Sequence, residues 1–474
     1  MKPTSILTVS YVILFSTIVI ASTQRELSLT VYNDNFALVK DQRAMKFKGG
    51  VNEFKFTDVA ATIEPSSVRF RSLTDPQARV VEQNFQFDLV GSAKLLEKYI
   101  DHPVEVLTAK GEIITGKLLR AEEQQIILQD NQGIRIISAG KISGIKLSKL
   151  PQGLLTRPTL VWQMYTAKEG KQNIQLDYLA RDIKWDMNYN AVLSEDDKKL
   201  DLVGWVTLAN KSGADFPDSK ITLVAGEPRR PAQPMFSYGI DYLRSISALS
   251  PSTQRGKDIS ETFGEYHLYR LPNRTSVNAQ QIKQIKLLGA DSVPVEKIYL
   301  YDGAKIQFWP NRTYLEPTFG REANKKVNML LSLENRADHR LGIALPAGLV
   351  RILKRDQDKS LEFIGEDKMP STSVDEKVLL YIGDAFDLAA NRTQTDFRRL
   401  SAHSIEEAFK IELKNHKKEP VTIMVIEKLY RWSNWEMIEK SQNYEKINDR
   451  TIRFMVTIKP DKTQTIEYRV HYTW

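Results

Sequence analysis

The chain has 474 residues, 42% hydrophobic and 27% charged, which is long enough for about three domains and apolar enough to bury real cores. Its formal net charge is +8. However, the basic doublets Lys198-Lys199, Arg229-Arg230, Lys325-Lys326, Arg398-Arg399 and Lys417-Lys418 are scattered beside acidic residues, unlike the concentrated basic face of a nucleic-acid protein. Cysteine is absent, which excludes disulfides, thiolate catalysis, iron–sulfur clusters and cysteine-based zinc sites.

Residues 1–23 read as a secretory signal peptide. Lys2 precedes an apolar run from Ile6 to Ile20, and the small residues Ala21, Ser22 and Thr23 follow, placing cleavage between Ala21 and Gln24. The run is shorter than the ~20 residues of a membrane span and contains Thr8, Ser10, Ser16 and Thr17, so export with cleavage is expected over an anchor. No later stretch is apolar enough to cross a bilayer as a helix.

Residues 24–91 alternate as short strands. Leu27–Tyr32, the strand that begins at Phe36, Val51–Phe56 and Val68–Arg71 are punctuated by Asn33-Asp34-Asn35, Gly49-Gly50 and Pro65. Residues 92–150 form an insert. Ser92 caps a helix whose face is Leu95, Leu96, Tyr99 and Ile100, and Pro103 ends it. The strands Pro103–Thr108, Ile113–Leu119, Gln125–Gln129, Ile134–Ser138 and Ile142–Leu147 then follow in the compact order of a small SH3- or Sm-like barrel. The Asp…Asn and Arg-Gly loop pairs of RNA-binding Sm proteins are missing, so a structural or protein-contact role is expected of it.

Residues 151–228 continue the main domain through Leu160–Tyr165, Lys171–Leu179 and the stretch from Trp185 to Pro228. In that stretch Leu200, Leu202, Gly204, Val206 and Leu208 alternate with Asp201, Val203, Trp205 and Thr207, a period of two that specifies a strand. Residues 229–264, rich in Pro, Ser, Thr and Gln, read as a flexible loop that carries Tyr238 and Tyr242. A β domain over 265–402 is expected from Glu265–Leu271, Lys283–Leu288, Lys297–Tyr301, Val327–Glu334, Leu349–Lys354 and Val378–Ile382. The final part, 403–474, has about seven strands' worth of alternation, which fits a C-terminal immunoglobulin-like sandwich. The fold class is therefore all-β: a multi-domain β-sandwich architecture with an inserted small barrel.

Several of these residues together carry a resemblance to one family. They are Val31-Tyr32-Asn33-Asp34-Asn35-Phe36, Ile63-Glu64-Pro65-Ser66-Ser67-Val68, and the series Trp185, Tyr189, Ala191, Leu200, Ala209-Asn210, Gly213, Phe216 and Ala225-Gly226-Glu227-Pro228. Leu345-Pro346-Ala347-Gly348 with Arg351, and Phe363-Ile364-Gly365-Glu366-Asp367, complete the set. In this order the chain resembles an uncharacterised bacterial family of unknown function whose domain forms the C-terminal part of mucoidy inhibitor A-like proteins. The resemblance implies an all-β fold and an envelope setting, and it brings no catalytic residues with it.

No residue pattern announces chemistry. The histidines 102, 267, 339, 403, 416 and 471 are not at metal-ligand spacing, and neither a nucleophile elbow nor a phosphate-binding loop occurs. Ser-x-x-Lys appears at Ser138/Lys141 and Ser143/Lys146 but in strand-and-turn sequence, where it is read as coincidence. Trp432 and Trp435, three apart with Arg431 beside them, could stack on a sugar or anchor a partner, and Tyr238 and Tyr242 could pack onto a partner; the competing reading of the tryptophans is core packing. The expectation is a non-enzymatic binding or scaffold protein of the periplasm or cell surface, without cofactor, that contacts an envelope protein or glycan. One alternative is an envelope hydrolase acting on a glycan through a carboxylate pair. A further one, prompted by the alternating Tyr468, Val470, Tyr472 and Trp474, is an outer-membrane-associated protein.

Overall fold

The computed structural model describes residues 25–86, 92–149, 157–226, 260–263, 266–304, 306, 308–309 and 312–474. The expected signal peptide, Tyr238 and Tyr242 lie outside the described residues. In chain order, β1 (Glu26–Tyr32), β2 (Phe36–Phe47), β3 (Gly50–Thr57), β4 (Arg69–Ser72) and β5 (Arg79–Gln86) precede the helix α1 (Ser92–Lys98). The insert continues with β6 (Pro103–Thr108), β7 (Ile113–Ala121), β8 (Gln125–Asp130), β9 (Gly133–Ser138) and β10 (Ile142–Lys146). Next come β11 (Thr159–Thr166), β12 (Gly170–Arg181), β13 (Ile183–Leu193), β14 (Lys199–Asn210), β15 (Phe216–Ala225), β16 (Ser260–Phe263), β17 (Tyr266–Arg270) and β18 (Thr275–Val277). Then follow β19 (Gln281–Asp302), β20 (Lys326–Glu334), β21 (Gly348–Arg355), β22 (Leu361–Met369) and β23 (Lys377–Ser401). The chain closes with β24 (Ser404–Asn415), β25 (Val421–Lys428), β26 (Trp435–Lys440), β27 (Glu445–Asn448), β28 (Thr451–Ile458) and β29 (Lys462–Thr473).

The protein is all-β with a sandwich-like, multi-sheet architecture. One sheet runs β16-β17-β15-β1-β2-β12-β4, a small one β3-β11-β5, and the largest β22-β21-β13-β14-β19-β20-β23-β24-β29-β26, with β25, β27 and β28 joined to it. Most pairs are antiparallel, but β1–β15, β13–β21 and β19–β25 are parallel and join segments far apart in sequence. The turns follow the sequence: Asn35 between β1 and β2, and Gly50 at the start of β3, both take positive φ, which Asn tolerates and Gly adopts freely.

The insert is an antiparallel sheet in the order β10-β6-β7-β8-β9 around its own core of Tyr99, Val104, Val106, Leu118, Ile126, Leu128 and neighbours. Among the described residues its edge strands β9 and β10 are not laddered to each other, so the barrel is not closed by backbone bonds. Ile100, expected on the packed face of the helix, is 39% exposed, because α1 ends at Lys98 and the chain turns before it.

Two larger cores hold the rest. The central one gathers Trp162, Trp185, Tyr189 and Val206 with residues from Leu27 to Ile382, and the C-terminal one spans Tyr299 to Tyr472. Two long strands stitch them together. β19 pairs with β14 through its first half and with β20 and β25 through its second; β23 pairs with β20 and then with β24. The expected separate strands Lys283–Leu288 and Lys297–Tyr301 are thus parts of one strand. Register shifts near Gly204 and Leu200 and a positive φ at Ser292 let that strand bend while it stays paired. After residue 403 the structure has six strands where the alternation suggested about seven.

Three buried asparagines end strands in the same manner. The Asn210 amide donates to the carbonyls of Ala214, Val277 and Asn278, Asn335 to those of Ile343, Thr372 and Ser373, and Asn415 to those of Glu419, Ile458 and Lys459. Each amide oxygen accepts from a nearby backbone N–H, of Ser212, Gly342 and Lys417 respectively. At each strand end one short side chain supplies donors and an acceptor that the departing backbone would otherwise lack.

Candidate functional site

The sequence leaves Trp432 and Trp435 between a partner anchor and core packing, and both lie half-buried against the C-terminal core. Trp435 opens the edge strand β26; its indole donates to the Asp449 carbonyl at 2.7 Å, and Lys446 Nζ sits 4.9 Å from the ring centre. Trp432 lies in the preceding loop, with the Arg450 guanidinium 5.6 Å from its ring and 6.0 Å from that of Phe308. Beyond Phe308, Trp309 is 72% exposed. The end of the C-terminal core is therefore a cluster of rings interleaved with cations, the side-chain types that dominate binding energetics at interfaces.

Buried charges hold that cluster in place. Arg431 and Glu407, both fully buried, pair at 3.0 Å, and the same guanidinium donates to the carbonyls of Tyr314, Glu316 and Phe319. Arg392 pairs with Glu427 at 2.8 Å, donates to the Gly320 carbonyl and lies 3.7 Å over the Phe409 ring. The Tyr468 hydroxyl donates to Glu427 and that of Tyr472 to Glu407. Burial, then the glutamate charges, push both phenols well above the usual tyrosine range, so they remain donors. Burial opposes the charge on Arg392, but the Glu427 carboxylate outweighs it and holds the guanidinium well above its ordinary value. Two arginines thus fasten the non-strand segment 314–320 onto the core, one residue from Trp432.

A second surface, which the sequence reading passed over, lies on the outward face of β13, β14 and β21. A groove of about 490 Å³ there is lined by the neutral Asn33, Asn188 and Thr207, the charged Asp186 and Lys368, and the apolar Leu349, Met369 and Pro370, among others. Trp205 is the direct cross-strand neighbour of Asn188 and is half-buried. Three residues quoted for the family resemblance, Tyr189, Pro346 and Gly348, help to build this groove. The Tyr189 hydroxyl donates to the Pro346 carbonyl at 2.7 Å, and that of Tyr269 to Ala344 at 2.9 Å. Gly348 packs so closely that a Cβ would lie 2.4 Å from the Met187 carbonyl oxygen. The signal for Trp205 was in the sequence: it falls on the opposite phase from the buried Leu200–Leu208 set, and a large ring facing outward from a strand is unusual.

The other candidates separate. The two carboxylates of the C-terminal core, Glu407 and Glu427, are enclosed and bonded to arginine and tyrosine, so neither offers an oxygen to a substrate in this conformation. Of the Ser-x-x-Lys pairs, Lys146 is bonded to Glu105 at 2.9 Å, as expected for strand residues. Among the described residues no three metal-ligating side chains converge. One Ser–His contact exists: Ser404 Oγ lies 2.6 Å from His471 Nε2, on adjacent strands β24 and β29. No helix among the described residues is long and apolar enough to cross a membrane, which says nothing of strands.

Compared with known proteins, residues 174–474 match the family described as a domain of unknown function, DUF4139. No curated protein and no solved structure matches the chain.

Proposed function

The chain belongs to the DUF4139 family, and from that premise we propose that it is an exported, non-enzymatic binding or scaffold protein of the bacterial envelope. Its contact with a partner protein is made through the aromatic end of the C-terminal core. The observation that carries this reading is that Trp432 and Trp435 stand half-buried on a base made rigid by the Arg431–Glu407 pair. Aromatic and arginine side chains fixed in advance lose little entropy on binding, which is what a contact surface requires. The signal-like residues 1–23 and the resemblance to the C-terminal part of mucoidy inhibitor A-like proteins support the envelope setting. The insert 92–150 is proposed as a separate module carried by the main β body.

A pull-down from crosslinked bacterial envelopes, with the mature chain and with its Trp432→Ala/Trp435→Ala variant, tests this. A protein retained by the first and lost by the second, with the variant's melting unchanged, supports the reading. A partner retained equally by both, or none retained by either, overturns it. One observation favours a second reading: the Ser404–His471 contact is that of a nucleophile with its base. Ester hydrolysis by the purified chain that disappears in Ser404→Ala would replace the binding protein with an acyl hydrolase.

A further inference from the structure

The outward face of β13, β14 and β21 has a composition that matches one class of ligand. We infer that the groove beside Trp205 is a binding site for an uncharged oligosaccharide. It is a surface distinct from the aromatic end of the C-terminal core, and the inference does not rest on the reading of that end.

The argument begins with the alternation of β14. Its inward residues are Leu200, Leu202, Gly204, Val206 and Leu208, so Trp205 has to face outward, between Val203 and Thr207. Gly204 is closely covered, since a Cβ there would meet the side chains of Met187, Leu288 and Tyr189 and make them shift. At this point the ladder to β19 shifts by one residue, from Gly204↔Leu288 to Trp205↔Lys286. Such irregularities re-aim a side chain relative to the flat sheet.

Trp205 stands beside the groove, across the strand from Asn188, which lines it, and from Lys286. The polar groups between ring and groove are amides and a hydroxyl, and Asp186 and Lys368 stand in the groove wall. Asn188 donates to Thr207 Oγ1 at 3.1 Å, and the exposed Gln284 approaches the same oxygen at 3.4 Å. Asn33 is fixed at the far wall by donating to the Trp185 carbonyl. Between these amides Leu349, Met369 and Pro370 supply an apolar floor. A sugar ring has the complementary surface: a patch of C–H bonds that stacks on an indole or an aliphatic floor, edged by hydroxyls that both donate and accept. Amide side chains also do both, whereas ammonium and guanidinium groups only donate.

Charge decides between an uncharged and an anionic ligand. The groove itself is lined by one carboxylate and one ammonium, Asp186 and Lys368, of opposite sign. Asp186 is paired with Lys184 at 2.9 Å, and Arg351, outside the lining, with Glu366 at 3.5 Å. Lys286, opposite Trp205, extends over Gly289. The face therefore gives a polyanion little net attraction. A cavity of about 510 Å³ elsewhere, lined by Arg25, Arg43 and Arg274, is richer in cations, but those arginines are bonded to Asp41 and Asp218. The groove at Trp205 also has the volume of an ordinary small-ligand site, about 300–1,000 Å³.

Isothermal titration of the mature chain tests the inference, with three probes: a neutral tetrasaccharide of N-acetylglucosamine, a neutral tetrasaccharide of glucose, and a sulfated oligosaccharide of similar length. Saturable binding of at least one neutral probe is expected. Trp205→Ala should weaken it about tenfold and Trp205→Phe much less, since the aromatic face is retained. Asn188→Ala should weaken it in a fold that keeps Trp205, which guards against Trp205→Ala acting only through misfolding. The Trp432→Ala/Trp435→Ala variant should bind the neutral probe as the parent does. Absence of binding by both neutral probes, tighter binding of the sulfated probe, or unchanged affinity in Trp205→Ala with Asn188→Ala would each overturn the assignment.

Discussion

The central core, from Leu27 to Ile382, is filled mainly by aliphatic and aromatic side chains. Its buried carboxylate Asp41 is met by arginines at the edge, Arg25 and Arg43, that keep some exposure, and stray carbonyls are satisfied by the neutral amides of Asn210 and Asn335. The C-terminal core, from Tyr299 to Tyr472, buries two arginines and two glutamates among its rings. The difference follows from what each core has to hold. In the central core most of the buried residues lie in strands with a neighbour, and the amides of Asn210 and Asn335 serve the segments that leave strand ends. The C-terminal core also holds the segment 314–320, which has no strand beside it, so the carbonyls of Tyr314, Glu316, Phe319 and Gly320 need donors from elsewhere. One guanidinium presents five N–H groups in a fixed fork and covers several carbonyls at once, which an amide cannot. A glutamate must then accompany each arginine inward. The arrangement is not perfectly satisfied: Arg392 Nη2 and Glu427 Oε1 have no hydrogen-bond partner among the described residues.

This comparison can be broken most forcefully at Arg431. Arg431→Met should leave Glu407 buried without its cation and release three carbonyls, costing about 3–5 kcal/mol of stability. The double substitution Arg431→Met/Glu407→Leu should cost less than the single one, because the stranded charge is gone, though it should not return to the parent value while the carbonyls stay unpaired. Urea unfolding followed by tryptophan fluorescence gives both numbers. If the single substitution cost less than the double, the C-terminal core would not depend on its charges as argued.

The neutral device should be weaker. Asn210→Ala and Asn335→Ala each remove donors from carbonyls at a strand end, with an expected loss of about 1–3 kcal/mol. Asn415→Ala applies the same change inside the C-terminal core. Equal losses at all three positions would show that the asparagine acts locally, whatever core surrounds it. A much larger loss at Asn415 would show that the charged core amplifies any unsatisfied group near it.

Much of this architecture was legible in the sequence, because a period of two specifies which residues face inward. It gave the five insert strands, the hairpins at Asn35 and Gly50, and β14. The strand β5 escaped because Arg79–Gln86 is half-exposed on both faces and has no clean alternation to read. β19 looked like two strands because Pro294 and the bulges interrupt its pattern, and only pairing with β14, β20 and β25 keeps it continuous. The partnerships that make the sites were not legible. Arg392 and Glu427 are 35 positions apart, and Tyr189 and Pro346 are 157 apart. A charged residue in an alternating strand reads as solvent-facing until its partner is known. Trp432 and Trp435 were visible as ring-bearing candidates, whereas the groove at Trp205 depends on the parallel pairing of β13 with β21, which no local pattern encodes.

The smallest expected effect concerns Asp197, where the central core uses charge at its rim. This residue sits in the turn between β13 and β14, 2.8 Å from Lys297 of β19 and 2.6 Å from Lys354 of β21. Partial burial raises its pKa, but hydrogen bonds and attraction from the two lysines outweigh that and leave it below the usual aspartate range. A carboxyl with a lowered folded-state pKa stabilises the fold above its unfolded value of about 3.9, and the stabilisation is lost as pH falls through the folded value. Lys297 is shifted the other way: burial lowers its pKa but Asp197 raises it further, so its side of the pair persists until strongly alkaline pH. The pairs are partly open to water, so the contribution should be no more than about 1 kcal/mol and should weaken with salt. Urea midpoints of the parent and Asp197→Asn at pH 7, 5 and 3 should differ equally at the first two values and by less at the third. A difference that stays constant down to pH 3 would mean that Asp197 acts through the shape of its turn rather than through its charge. The contrast with the charged interior of the C-terminal core would then be sharper, since the central core would draw no measurable stability from an ion pair at this rim.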